Sequence, residues 1–116
     1  MNRPAATASL PNLSALSVEQ LGVLFAAYEA AEGGFLSVFN QPRSRSVSDI
    51  VEDLAEDCTS ACQRIVEHAG MRSPLSSAER RAKGEILMRW AIKCGEGGDE
   101  IALIVREHFQ SEEAPS

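Results

Sequence analysis

At 116 residues, 44% hydrophobic and 24% charged, the chain has the makeup of one ordinary globular domain, long enough to bury a core without metal or disulfide staples. Its 17 acidic and 11 basic residues give a formal charge of −6, which argues against a nucleic-acid binder driven by phosphate contacts and leaves room only for a local basic patch. No uninterrupted apolar run approaches the roughly 18 residues of a membrane span. The opening M-N-R-P-A-A-T-A-S-L-P lacks the apolar stretch of a secretory signal, and three cysteines do not form a secreted disulfide framework. A reducing cytoplasm is the expected home.

Residues 1–16 carry Pro4, Pro11 and scattered Ser, Thr and Asn without periodicity, so they read as an N-terminal extension in coil that Leu10, Leu13 and Leu16 could pin down. A single helical-bundle domain is expected over 17–110, with an acidic tail over 111–116. The first helix has a clear start. Ser17 is its N-cap, Gln20 completes a capping box, and Leu16 with Leu21 supplies a hydrophobic staple. Leu21, Leu24, Phe25, Tyr28 and Ala31 share one face, and Phe35 and Phe39 fall on it too if the count is carried through Gly33-Gly34. The helix is therefore expected to reach about Asn40, with a bend at the glycines, until Pro42 ends it. The alternative is two short helices joined by a Gly-Gly loop.

A second helix is expected from about Val47 to Ala69, capped by Ser46 with Asp49 and closed by Gly70. Ile50, Leu54, Cys58, Ala61 and Ile65 form one apolar row. Val51, Ala55, Cys62, Val66 and Ala69 form the next, with Glu52, Glu56, Gln63 and Glu67 opposite. The third helix starts near Ser76, whose box partner is Glu79, and ends at Gly95. Within it, Glu85 to Cys94 is apolar apart from Glu85, Arg89 and Lys93, which fall on one narrow stripe. That stretch is the expected centre of the core. The fourth helix runs from Asp99 to near Gln110 and is expected to turn Ile101, Ala102, Ile104, Val105 and Phe109 inward.

These elements define an all-α fold: an antiparallel bundle of three long helices plus a shorter fourth C-terminal helix. Short connections make sequential helices antiparallel neighbours. A turn centred near Ser73 sets Asp57 beside Arg89, Asp53 beside Lys93, and Gly84 opposite Cys62 in a close backbone approach. Helix 4 and the N-terminal segment are expected to cover Met88 and Ile92, while the surroundings of Leu103 are left open.

Little in the chain points to chemistry. Cys58 and Cys62, spaced i, i+4, could chelate a soft metal or act as a redox pair, but they lie in the middle of an apolar arc where free cysteines serve as small hydrophobes. His68 and His108, near helix C-termini, suit capping or hydrogen bonding better than catalysis. The segment over 67–83, E-H-A-G-M-R-S-P-L-S-S-A-E-R-R-A-K, has the cadence of a helix-turn-helix reader, with Arg72, Arg80, Arg81 and Lys83 as phosphate contacts. Its long first helix and the apolar character of the residues after Gly84 fit a plain helix–helix turn better. The expectation is a small, non-catalytic cytoplasmic interaction or regulatory module that uses no cofactor, holds no metal and meets a protein partner, itself included. A DNA-associated regulator using 67–83 and a thiol-based metal or redox protein using Cys58 and Cys62 are the alternatives.

Overall fold

The computed structural model describes residues 12–110, apart from the side chains of residues 42–44 and 110. Four α-helices and no strand occur among them: α1 (Val18–Phe39), α2 (Ser48–Gly70), α3 (Ser77–Lys93) and α4 (Gly98–Val105), the last widening into a π-type turn over Arg106–Gln110. The fold is the expected all-α bundle of three long helices and a shorter C-terminal one. The first eleven residues, Leu10 among them, and the acidic tail lie outside the described residues.

The helix starts follow from local chemistry. The Ser17 hydroxyl accepts from the Gln20 amide at 3.0 Å, and the Gln20 side chain accepts from the Ser17 amide at 2.8 Å. Two of the orphan N–H groups at the start of α1 are thereby satisfied. Ser76 likewise accepts from the Glu79 amide, but the Glu79 carboxylate accepts from the Leu75 amide rather than from Ser76. Gly95, at φ +77°, takes the left-handed position just past α3. Gly33 and Gly34 are simply part of α1, which runs unbroken to Phe39.

Two expected boundaries of α2 are corrected. Pro42–Val47 winds as a 3-10 segment straight into the helix, so Val47 occupies the cap position and no side chain caps it; Ser46 does not. Gly70 is the last helical residue and not a left-handed stop, since Gly95 is the one described residue with positive φ.

Pairings across the helices fix their directions. Thr59 on α2 reaches Glu32 on α1, and the Cys62 thiol meets the Phe25 carbonyl at 3.9 Å, so α1 and α2 are antiparallel. Arg89 reaches Glu29 and Lys93 reaches Glu32, so α3 runs parallel to α1. α4 returns along α3, with the Arg81 guanidinium 5.6 Å from the centre of the Phe109 ring.

This geometry corrects the expected register. The polar stripe of α3 meets carboxylates of α1, not Asp53 and Asp57 of α2, because a third helix laid into an α1–α2 hairpin touches both of its neighbours. The close approach at Gly84 is present, but its partner is the C-terminal turn. A Cβ there would lie 2.5 Å from His108 Cβ and 2.8 Å from the Phe109 ring.

The core is also centred elsewhere than expected. Its largest fully buried side chains are Leu21 and Phe25 of α1, Cys62 and Ile65 of α2, and Ile86 of α3. From the Glu85–Cys94 stretch, Ile86 and Ala91 are buried and Trp90 is half-buried against the core, whereas Ile92 is 59% exposed and Cys94 is exposed. Met88 is half-buried, whereas Ile92, expected to be covered, is exposed. On α4 itself Ala102 faces outward, while Ile104 and His108 turn inward.

The N-terminal segment is docked over residues 12–16. Leu13 is buried in the core, Leu16 packs against it, and the Arg72 guanidinium donates to the Leu16 and Leu13 carbonyls at 2.6 and 2.8 Å. Charge-assisted hydrogen bonds of this kind contribute about 1.5–3 kcal/mol each when intact. Arg72→Ala is therefore expected to cost about 2 kcal/mol in denaturant unfolding and to speed proteolytic cleavage ahead of Ser17. Arg72→Lys, lacking the two-pronged head, should recover less than half of that loss.

Candidate functional site: interaction surfaces of the bundle

The cysteines are settled by their surroundings. Cys58 and Cys62 are both buried on the α1-facing side of α2, and Cys94, exposed just past α3, does not converge with them. Burial first, and the Glu32 carboxylate second, push both thiols up, Cys62 from 9.0 to about 12. A thiol so raised is protonated at neutral pH and is neither a good nucleophile nor a ready metal ligand. No group of three or more His, Cys, Asp or Glu side chains is arranged to hold a metal ion among the described residues.

Thiol titration should therefore find one prompt group, Cys94, with Cys58 and Cys62 reacting only as the protein unfolds. The raised Cys62 thiol also gives stability a pH dependence of definite sign. Between pH 9.0 and about 12 the unfolded chain has lost the Cys62 proton while the folded chain keeps it, so stability falls as pH rises through that window. Urea midpoints measured from pH 8 to 10.5 should decline, and Cys62→Ala should flatten the decline.

The basic segment is largely occupied within the fold. Arg72 serves two backbone carbonyls, the Lys83 ammonium donates to the Arg72 carbonyl at 2.8 Å, and Arg81 lies over Phe109. Leu75, at the corner where a helix-turn-helix would bury an apolar residue, is exposed. His68 is half-buried in the last turn of α2. The His108 ring is 8% exposed, with Nδ1 3.0 Å from the Ile104 carbonyl one turn back. A carbonyl only accepts, so Nδ1 is the donor in that contact.

A polar cluster inside the bundle has no counterpart among the expected pairs. Glu32 is 7% exposed and receives both the Lys93 ammonium and the Thr59 hydroxyl, tying α1, α2 and α3 together at one level. By contrast the Arg89–Glu29 pair, at 3.1 Å, is half in solvent and worth little. The signal for Glu32 was present in the sequence, since it lies on the same side of the α1 wheel as Leu21, Phe25 and Tyr28.

Glu32 also marks where α3 ends. Lys93, the last residue of α3, is level with Glu32, while α1 continues to Phe39. Residues 33–39 therefore carry the α1–α2 hairpin about 10 Å beyond the third helix, at 1.5 Å per residue. Past that point the side that faces α3 lower down stays open. Leu36 continues the face of Phe25 and Glu32, and Leu54 continues the row of Cys58, Ala61 and Ile65. Both are exposed, at 41% and 39%, and Ile50 is more so at 60%. This is why the first apolar row expected on α2 is buried only from Cys58 onward.

The α1 helix as a whole is long and apolar enough, by length and composition alone, to cross a membrane, with a mean hydropathy of 1.2 over its best window. Glu29 and Glu32 interrupt it, so the sequence shows no unbroken apolar run there. In the fold those two carboxylates are engaged by Arg89 and Lys93, and the inward face of α1 is committed to the core.

A second surface lies between α3 and α4. It is a groove of about 420 Å³ whose floor includes Leu87, Trp90 and Leu103, with Glu96, Glu100 and Glu107 along its edge and His108 in its lining.

No protein family, no curated protein and no solved structure matches the chain, so these surfaces stand on their own chemistry.

Proposed function

We propose that the protein is a small, non-catalytic helical interaction module that engages a protein partner, a second copy of the chain included, through the open end of its α1–α2 hairpin. The observation that carries this reading is the row of Leu36, Ile50 and Leu54, apolar side chains on core-forming faces that α3 stops short of covering. Apolar surface of this kind, when contiguous, is characteristic of association sites. Two further features support it. The buried thiols are held neutral, which disfavours thiol-based metal or redox chemistry, and Arg72 and Lys83 already serve backbone carbonyls instead of phosphates. Three unpaired thiols suit a reducing, cytoplasmic setting.

Light scattering across a concentration series, together with capture from the source cell, tests the reading. The double variant Leu36→Asp, Leu54→Asp changes exposed positions only, and its helical circular dichroism should match wild type. Self-association, or the captured partner, should be lost in that variant. A strictly monomeric wild type that recovers nothing, or recovery indifferent to the double variant, would overturn it.

A further inference from the structure

The groove between α3 and α4 has an apolar floor and, in its lining, no lysine or arginine. Its charged edge is entirely carboxylate: Glu96 from the turn after α3, Glu100 from the first turn of α4, and Glu107 from its last. The rest of its polar lining is the indole N–H of Trp90 and the buried imidazole of His108, whose Nδ1 donates to the Ile104 carbonyl.

The carboxylates at the edge accept hydrogen bonds and donate none. The chemistry that completes such a site is donor-rich and cationic at its edges and apolar at its centre. A small polycation would satisfy the carboxylates but leave Leu87, Trp90 and Leu103 wet. A neutral apolar ligand would offer the Glu96 and Glu100 carboxylates no donor. The volume lies in the roughly 300–1,000 Å³ range of ligand sites, and the open cleft between two helices suits a helix laid along it.

We infer that this groove binds a basic amphipathic helix of a partner protein, whose apolar row sits on Trp90 and Leu103 while lysine or arginine side chains meet Glu96 and Glu100. The formal charge of −6 attracts such a partner at long range. The inference rests on the interaction reading above but uses a different surface, so the two tests fail independently.

The chain contains one tryptophan, and it lies in the groove, so its emission reports occupancy directly. The probe is a synthetic peptide of leucine and lysine at helical spacing, titrated into the whole chain. A saturable shift in Trp90 emission is expected, weakening as salt is raised. Glu96→Gln with Glu100→Gln should weaken binding by about tenfold, and Leu103→Ser should weaken it as well. Glu52→Gln with Glu56→Gln, which removes the same charge from the exposed face of α2, should change it less than about twofold on the same scale. Equal losses from the two glutamine pairs would overturn the inference, because charge anywhere would then suffice. It would also be overturned if emission did not saturate, or if spermine or a lysine–glycine peptide bound as tightly as the amphipathic one. Helical circular dichroism of each variant guards against unfolding. Loss of hairpin-mediated association in the Leu36, Leu54 double variant, with peptide binding intact, would separate the two surfaces.

Discussion

Lys93→Ala is expected to be among the most damaging single substitutions in the protein, lowering stability by about 2–3 kcal/mol and the melting temperature by roughly 10 °C. Removing Lys93 leaves the Glu32 carboxylate buried among α1, α2 and α3 with only the Thr59 hydroxyl to meet it. Breaking a buried pair typically costs about 3–5 kcal/mol, and the figure is reduced here because the Lys93 side chain is 26% exposed. The penalty arises from the uncompensated charge, not from the attraction lost, and this difference can be measured. Glu32→Leu combined with Lys93→Met removes both charges while keeping volume, and should recover most of the loss. Thr59 is not orphaned by that exchange, since its hydroxyl also lies 3.2 Å from the Ala55 carbonyl. A double variant as unstable as Lys93→Ala would show that the pair holds the bundle by attraction, and the desolvation account would fall.

The same cluster shows what sequence reasoning could and could not reach. Signals spanning a single helical turn were legible. Ser17 with Gln20, Ser76 with Glu79, and Gly95 past the end of α3 act within three or four residues, where backbone geometry leaves few alternatives. The partner of the Glu85, Arg89, Lys93 stripe was not legible. Two short connections fix that α3 lies antiparallel to α2, but they leave open whether its polar edge turns to α2 or to α1. Both neighbours carry carboxylates at suitable heights, and the choice of Glu29 and Glu32 belongs to three-body packing. Burial along α2 failed for a related reason. Its first apolar row runs evenly from Ile50 to Ile65, yet it is covered only from Cys58 onward, α3 stopping level with Glu32. Val51 and Ala55 of the adjoining row are buried. Ile50 and Leu54 look identical to core positions in sequence, and in the fold they are the open end on which the proposed association depends.

Gly84 makes the sharpest distinction between local propensity and tertiary contact. In an exposed helix, replacing glycine by alanine stabilises by roughly 1 kcal/mol. At Gly84 the added methyl would meet His108 Cβ at 2.5 Å and the Phe109 ring at 2.8 Å, and His108 Cβ is fixed to the helix backbone and cannot swing aside. The C-terminal turn must therefore move away from α3. Overpacking of this kind costs about 1–3 kcal/mol, enough to outweigh the propensity gain. Gly84→Ala is accordingly expected to lower stability by about 1–2 kcal/mol and to raise amide exchange selectively over residues 98–110. The move also displaces His108 and the wall of the groove over Trp90, so peptide binding there should weaken even where the bundle remains folded. Gly34 supplies the control. It is helical too, but nothing lies within 4 Å of its missing Cβ, so Gly34→Ala should stabilise by about 0.5–1 kcal/mol. If Gly84→Ala stabilised the protein as Gly34→Ala does, α4 would not be packed on α3 at this height. The groove, which needs both helices as walls, would lose its structural basis.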